Sequence, residues 1–152
     1  MRNKIKFGII FVALVLIATA LIVGFSKIGK LETTKTLSSL SFDIGTISAT
    51  DGKNQESKQA IYLKDYEKLE DAKIELKEDA KVTYKMFYYN ADKEFISASE
   101  EFSANYDKTN NASNAVYFRM VITPAQVDGE AVTINLLNIA KYTNQISVTV
   151  AK

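Results

Sequence analysis

The feature that most constrains this chain is an uninterrupted apolar run near its N-terminus. Residues 7–25 read FGIIFVALVLIATALIVGF, which is 19 residues without a charged side chain. An α-helix rises about 1.5 Å per residue, so roughly 20 apolar residues cross a hydrocarbon core of about 30 Å. The run therefore predicts one transmembrane helix that tethers the rest of the chain to a membrane.

Basic residues on both sides of the run predict its orientation. These residues are Arg2, Lys4, Lys6, Lys27 and Lys30. Because short basic segments stay on the cytoplasmic side, we expect residues 1–6 to form a cytoplasmic tail. The remainder of the chain would then lie outside the cell as the extracellular part of a single-pass cell-membrane protein.

A cleaved signal peptide is the alternative to an anchor. Ala18-Thr19-Ala20 has the small-x-small pattern of a signal-peptidase site, which predicts cleavage after Ala20. However, the apolar run continues from Leu21 to Phe25, and cleavage would leave that apolar stretch at the new N-terminus. This continuation favours an uncleaved signal anchor.

The composition after the run excludes several classes of chemistry. The chain contains no His and no Cys, which excludes Ser-His-Asp hydrolysis, thiol nucleophiles and zinc sites built from these residues. Residues 31–152 carry 14 basic and 18 acidic side chains, a net charge of −4. Such a domain lacks the electrostatic footprint of a nucleic-acid-binding protein, and its scattered lysines are typical of a solvated surface. We therefore expect no enzyme, no cofactor and no nucleic-acid partner.

Alternating apolar and polar residues predict a mainly β domain over residues 40–151, after a polar linker at 26–39. The alternation is strongest at 81–90 and 116–122. Shorter segments of the same kind lie at 40–44, 60–63, 73–77, 95–98, 132–139 and 146–150. Seven or eight short strands predict a two-sheet antiparallel β-sandwich of jelly-roll type. Residues 64–72 are rich in helix formers and predict a loop or a short helix.

Two segments have the chemistry of turns. Asp51-Gly52 tolerates positive φ and predicts a turn or loop over residues 50–54. The segment 90–94 (NADKE) lies between two alternating segments and predicts a β-hairpin.

Three stretches together carry a family resemblance. They are residues 42–48 with Asp51-Gly52 and Ser57, residues 84–97, and residues 114–122. The chain thereby resembles the galactose-binding-like, carbohydrate-binding-module-like jelly rolls of bacterial and phage surface proteins. The resemblance implies a β-sandwich and a sugar ligand. It departs at Tyr62-Leu63, where relatives often carry an Arg-Thr pair, so a ligand contact by that arginine is not carried over.

Sugar sites combine aromatic faces with hydrogen-bonding groups, and this chain offers candidates for both. The candidate ligand-binding residues are Tyr62, Tyr89, Asp92, Tyr106, Tyr117 and Arg119. We expect the four tyrosines to be exposed. The competing interpretation is that these rings pack the core or dress the surface of the sandwich.

Arg119 and two aspartates leave alternatives open. Arg119 alternates with apolar neighbours, so it lies on the opposite face from Phe118, either pairing with a carboxylate such as Asp92 or lying over a tyrosine ring. We predict no metal site, although Asp43 and Asp51 could contribute oxygen ligands to a calcium ion in this architecture.

The leading hypothesis is therefore a non-catalytic binding or adhesion module on a bacterial cell surface, with a glycan as its ligand. The second hypothesis is a structural or accessory envelope protein whose sandwich binds another protein. An aromatic row in a groove would favour the first, whereas a long unpaired edge strand or a flat apolar patch would favour the second.

Overall fold

The computed structural model describes residues 34–36, 40–108 and 111–151. Within these ranges no helix is both long and apolar enough to cross a membrane. The predicted membrane segment, residues 7–25, lies outside the described residues, as does the predicted cytoplasmic tail. The described part of the chain is mainly β.

The described ranges contain eleven strands and one short helix. The strands are β1 (Thr34–Thr36), β2 (Phe42–Ile44), β3 (Thr46–Ile47), β4 (Asn54–Gln55), β5 (Ile61–Leu63), β6 (Glu67–Lys68), β7 (Lys73–Leu76), β8 (Val82–Tyr89), β9 (Phe95–Phe102), β10 (Tyr117–Pro124) and β11 (Ile146–Ala151). The helix, α1, spans Ile139–Thr143.

The larger sheet has the strand order β2-β5-β10-β8-β9, and β6 pairs with a further part of β10. Its centre is the antiparallel pair β8 and β10, which stays in register from Tyr89 opposite Tyr117 to Val82 opposite Pro124. Both strands lie where the alternation is strongest, so these two predictions are confirmed. β-branched and aromatic side chains favour a pleated, half-buried surface, which explains why these segments form the longest pairing.

A smaller sheet has the order β1-β11-β7, and β3 pairs with β4 in a separate two-stranded hairpin. All strand pairs in the described ranges are antiparallel. β1 falls inside the segment predicted as a linker, residues 26–39. That boundary is corrected, because residues 34–36 pair with the C-terminal strand β11.

The main core joins the two larger sheets. It contains Tyr84, Met86 and Met120 from the larger sheet together with Ile74 and Val148 from the smaller one. Burial of each large apolar side chain contributes about 1.5–3 kcal/mol to the free energy of folding. Two sheets that share one apolar core are compatible with a β-sandwich.

A second apolar cluster covers the opposite face of the larger sheet. Here Tyr62, Phe87, Tyr89 and Val121 pack with Ile47 of the β3–β4 hairpin. The centre of the larger sheet is therefore buried on both faces, and six of the eight residues of β8 are buried. The candidate site lies at the rim of this second cluster.

The hairpin predicted over residues 90–94 is confirmed. β8 and β9 pair on either side of it. The side-chain oxygen of Asn90 accepts hydrogen bonds from the backbone N–H groups of Asp92 and Glu94, each at 2.9 Å. Asparagine thus closes the turn by replacing backbone acceptors with its own amide oxygen.

The alternation predicted at 132–139 was wrong as a strand. Residues 131–138 form a loop, and α1 follows it. The side chain of Asn135 accepts hydrogen bonds from the N–H groups of Leu137 and Asn138, and Asn138 accepts one from the N–H of Asn135. Such local bonds compete with a strand ladder for the same backbone groups. Residues 64–72 contain no helix and instead hold β6 within a loop.

Candidate functional site

A pocket of about 390 Å³ opens at the rim of the second apolar cluster. Small-molecule pockets typically measure about 300–1,000 Å³. Its walls come from the β3–β4 loop, the segment after β5, the β8–β9 hairpin and the central strand β10. The lining residues are Asp51, Gly52, Lys53, Asn54, Lys64, Tyr66, Tyr89, Lys93, Phe95 and Arg119.

Arg119 is the buried charge of the pocket, with only 4% of its surface exposed. Its Nε donates a hydrogen bond to the carbonyl oxygen of Leu63 at 2.9 Å. Its guanidinium carbon lies 5.3 Å from the ring centre of Tyr62 and 5.4 Å from that of Tyr66. Of the two predicted arrangements for Arg119, the structure therefore shows the tyrosine contact. Asp92, the carboxylate predicted as its other partner, is exposed in the hairpin turn.

Tyr89 connects strand β8 to the β3–β4 loop through its side chain. Its hydroxyl donates a hydrogen bond to the carbonyl oxygen of Gly52 at 3.0 Å. Its ring packs against Tyr66 and Phe95, with centroid distances of 4.7 and 5.7 Å. Burial raises the pKa of Tyr89, and the nearby Arg119 guanidinium offsets part of that rise. The phenol is therefore neutral at physiological pH and serves as a fixed donor.

The β3–β4 loop supplies one carboxylate and one ammonium group. The Nζ of Lys53 lies 3.5 Å from a carboxylate oxygen of Asp51, and the backbone N–H of Lys53 donates to the same side chain at 3.2 Å. A hydrogen bond from the side chain of Ser48, and then the one from the Lys53 backbone, lower the pKa of Asp51. The predicted turn is confirmed, with Gly52 at φ +70°.

The pocket concentrates positive charge. Lys53, Lys64, Lys93 and Arg119 line it with Asp51 as the one acidic group, four positive charges against one negative. Residues 31–152 as a whole have a net charge of −4. The pocket therefore has the opposite sign to the domain that carries it, and such local clusters attract oppositely charged ligands.

The structure brings together three of the six predicted ligand-binding residues, but not as exposed rings. Tyr89 and Arg119 line the pocket, and Tyr62 lies beneath Arg119. The expectation that these two tyrosines are exposed was wrong, because Tyr62 is 9% and Tyr89 1% exposed. The second apolar cluster covers the sheet face on which they stand.

Three other predicted residues lie beside or away from the pocket. The half-buried Tyr117 ring is 5.6 Å from the Nζ of Lys93, and Asp92 precedes Lys93 in the hairpin turn. Tyr106 packs instead against the main core on the other side of the sheet, with its ring 6.3 Å from that of Phe102. Burial raises the pKa of Tyr106.

Lys53, Lys64, Tyr66 and Lys93 are among the lining residues that the sequence interpretation missed. Lysines scattered along a sequence are typical of a solvated surface, and these three come together only in the tertiary structure. One feature of the sequence, the predicted hairpin, could have identified Lys93 as a residue close to Arg119. The predicted hairpin places it at the end of β8, and Arg119 stands on the partner strand β10.

No group of three or more acidic side chains within residues 34–36, 40–108 and 111–151 is arranged to hold a metal ion. Asp43 accepts a hydrogen bond from the N–H of Ile44, and Asp51 is paired with Lys53. The two aspartates considered for calcium thus already have protein partners.

Comparison with protein-family models, with curated proteins and with solved structures found no match for the chain. The resemblance to galactose-binding-like modules accordingly stays a prediction. The pocket itself offers aromatic rings, a buried guanidinium and exposed ammonium groups.

Proposed function

We propose that this chain is a membrane-anchored, non-catalytic binding module on the outside of a bacterial cell, with a glycan as its ligand. In this proposal the two sheets form a jelly-roll-type sandwich, and the ligand binds in the pocket beside Arg119. The observation that carries the proposal is the pocket's combination of aromatic rings with charged hydrogen-bond donors.

The chemistry of the pocket suits a sugar ring. Sugar C–H faces pack against aromatic rings, and sugar hydroxyls accept hydrogen bonds from ammonium and guanidinium groups. Tyr66 is half-buried at the pocket, with the cations of Lys93 and Arg119 both beside its ring. Because Tyr89 and Arg119 stand on the central strands of the larger sheet, these groups are held in place before a ligand arrives.

Binding of neutral and charged oligosaccharides to the full chain, solubilised in an uncharged detergent, tests the proposal. Removing the ring in Tyr66→Ala should weaken binding about fivefold, the effect expected when one aromatic contact is lost. Tyr117→Ala is the matched control, since its half-buried ring also neighbours Lys93 but does not line the pocket. An absence of binding at millimolar saccharide, or equal loss in the two variants, would refute the proposal.

The anchor is supported by the apolar run at 7–25 and its flanking charges. Mass spectrometry of the mature protein decides between an anchor and a cleaved signal peptide. An intact N-terminus supports the anchor, whereas a chain that starts at Leu21 refutes it.

The alternative, an envelope protein that binds another protein, is favoured by one observation. β9 is eight residues long and lies at the edge of the larger sheet, where no described strand pairs with its outer side. Free edges can accept a strand from another chain. A photo-crosslinking residue at the exposed Ile96, compared with one at Lys77, tests this in intact cells. Crosslinks to one protein from Ile96 alone would support it.

A further inference from the structure

The charge of the pocket contrasts with the charge of its surroundings. Lys64 and Lys93 are exposed at the pocket and are not ion-paired within the described ranges, whereas Lys53 is paired with Asp51. Arg119, which lines the same pocket, adds a buried positive charge. Three cations therefore face one small volume whose one lining carboxylate, Asp51, is already paired with Lys53.

The environment of Arg119 is unfavourable for a charged group, because it removes the guanidinium from water. Its guanidinium is buried beside the rings of Tyr62 and Tyr66, the carbonyl oxygen of Leu63 and the neutral Tyr89 side chain. A buried charge loses much of its hydration, and this loss is recovered fully only when an opposite charge lies close by. An anion in the pocket would supply that charge, because Arg119 lines it.

Lys93 is placed to share such an anion. Its Nζ and the guanidinium carbon of Arg119 each lie 5.4 Å from the same Tyr66 ring centre, so the two cations are at most twice that distance apart. We infer that the ligand of this pocket is an anionic saccharide, held by its carboxylate or phosphate group among Arg119, Lys93 and Lys64. This inference rests on the proposed function of the same pocket.

Size and net charge favour a saccharide unit over a larger polyanion. A volume of about 390 Å³ fits a compact ligand. A long nucleic acid would extend beyond the pocket over a domain with a net charge of −4 and would be repelled there. The half-buried Tyr66 lines the pocket together with the cations, so that one ligand can contact both the charge and the aromatic ring.

Calorimetric titration of the full chain in uncharged detergent with three matched probes tests the inference. The probes are trigalacturonate, its uncharged methyl ester, and the sugar phosphate glucose 6-phosphate. At least one charged probe should bind about tenfold more tightly than the ester. Its affinity should also fall as the salt concentration rises from about 0.05 M to about 0.5 M, because salt screens exposed charges. The two charged probes distinguish a carboxylate from a phosphate ligand.

Substitutions at exposed lysines locate the binding without disturbing the fold. Lys64→Gln and Lys93→Gln should each lower the affinity for the charged probe about threefold, which is the effect expected when one exposed charge pair is lost. Lys77→Gln is the matched control because this lysine is exposed but outside the pocket, and it should leave affinity unchanged. Equal losses in all three variants would show a general charge effect and overturn the inference.

The outcomes separate this inference from the proposed function. Tight binding of the ester, equal to that of the acid, would leave the glycan-binding proposal standing and overturn the anionic ligand. Absence of binding by all three probes at millimolar concentration would overturn both.

Discussion

Replacing Gly52 with alanine tests how closely the β3–β4 loop approaches the β8–β9 hairpin. A Cβ at this position would lie 2.8 Å from the Cβ and 2.7 Å from the Cδ2 of Phe95. The Phe95 Cβ is fixed to its backbone, so rotation of the ring cannot remove the overlap. Relief requires the loop to move away from the hairpin, which pulls the Gly52 carbonyl oxygen from the Tyr89 hydroxyl.

Two penalties combine in Gly52→Ala. The backbone φ of +70° is in the left-handed region, which costs an alanine about 1–2 kcal/mol. Steric overlap in a packed region adds about 1–3 kcal/mol. The smaller conformational entropy of the unfolded alanine variant offsets about 0.4–1 kcal/mol of this loss. The free energy of unfolding should therefore fall by about 2–4 kcal/mol.

Gly129→Ala is the matched control for the backbone penalty alone. Gly129 has φ +82°, and a Cβ there would meet nothing within 4 Å. We expect a loss of at most about 1.6 kcal/mol for this variant. Urea denaturation of the full chain, followed by circular dichroism, gives both free energies. Equal losses in the two variants would refute the close approach of Gly52 to Phe95.

Three further predictions concern buried hydroxyls and the exposed loop before α1. Tyr89→Phe should lower the free energy of unfolding by about 0.5–1.5 kcal/mol in the same assay, since it removes the hydrogen bond to Gly52; an unchanged value would contradict that bond. Burial raises the pKa of Tyr84 and Tyr89 above the ordinary 10.0. The contribution of these two neutral phenols to the free energy of unfolding is therefore complete below about pH 10, and it is lost as the pH rises through the raised pKa values. Alkaline titration of tyrosinate absorbance checks this, and titration of all tyrosines near pH 10 without unfolding would refute it. Leu136 and Leu137 are 83% and 96% exposed, so replacing both with serine should change the free energy of unfolding by less than about 0.5 kcal/mol. Ile134→Ala in the core should lower the same free energy by about 2–5 kcal/mol.

The strands with the strongest alternation were predictable, and the loop before α1 was not. Alternation identifies β8 and β10 because each side chain on a strand points to the face opposite that of its neighbours. The same pattern at 132–139 failed, because Asn135 and Asn138 satisfy backbone groups locally. A hydrophobic pattern reports what a segment could bury, whereas hydrogen-bonding side chains decide whether the ladder forms.

Burial of the predicted tyrosines also required the tertiary structure. Alternation placed Arg119 on the opposite face from Phe118, which the structure confirms, since Phe118 lies in the main core and Arg119 beside Tyr62 and Tyr66. It could not say whether that opposite face was covered. The covering residue Ile47 belongs to the β3–β4 hairpin, which is distant in sequence from β8 and β10.

The sequence by itself determined the apolar run at 7–25, the charge difference between the first 30 residues and the rest, the mainly β class and the two central strands. These properties follow from composition and from local periodicity. A periodic pattern depends only on residues that are close to one another in the sequence. The pocket was decided only by the tertiary structure. Lys64 and Tyr66 follow β5, Lys93 lies in the β8–β9 hairpin and Arg119 lies on β10. Packing of the β3–β4 loop and the β8–β9 hairpin over one sheet face brings these three segments together. Such convergence depends on contacts between residues far apart in the chain, which no local pattern records.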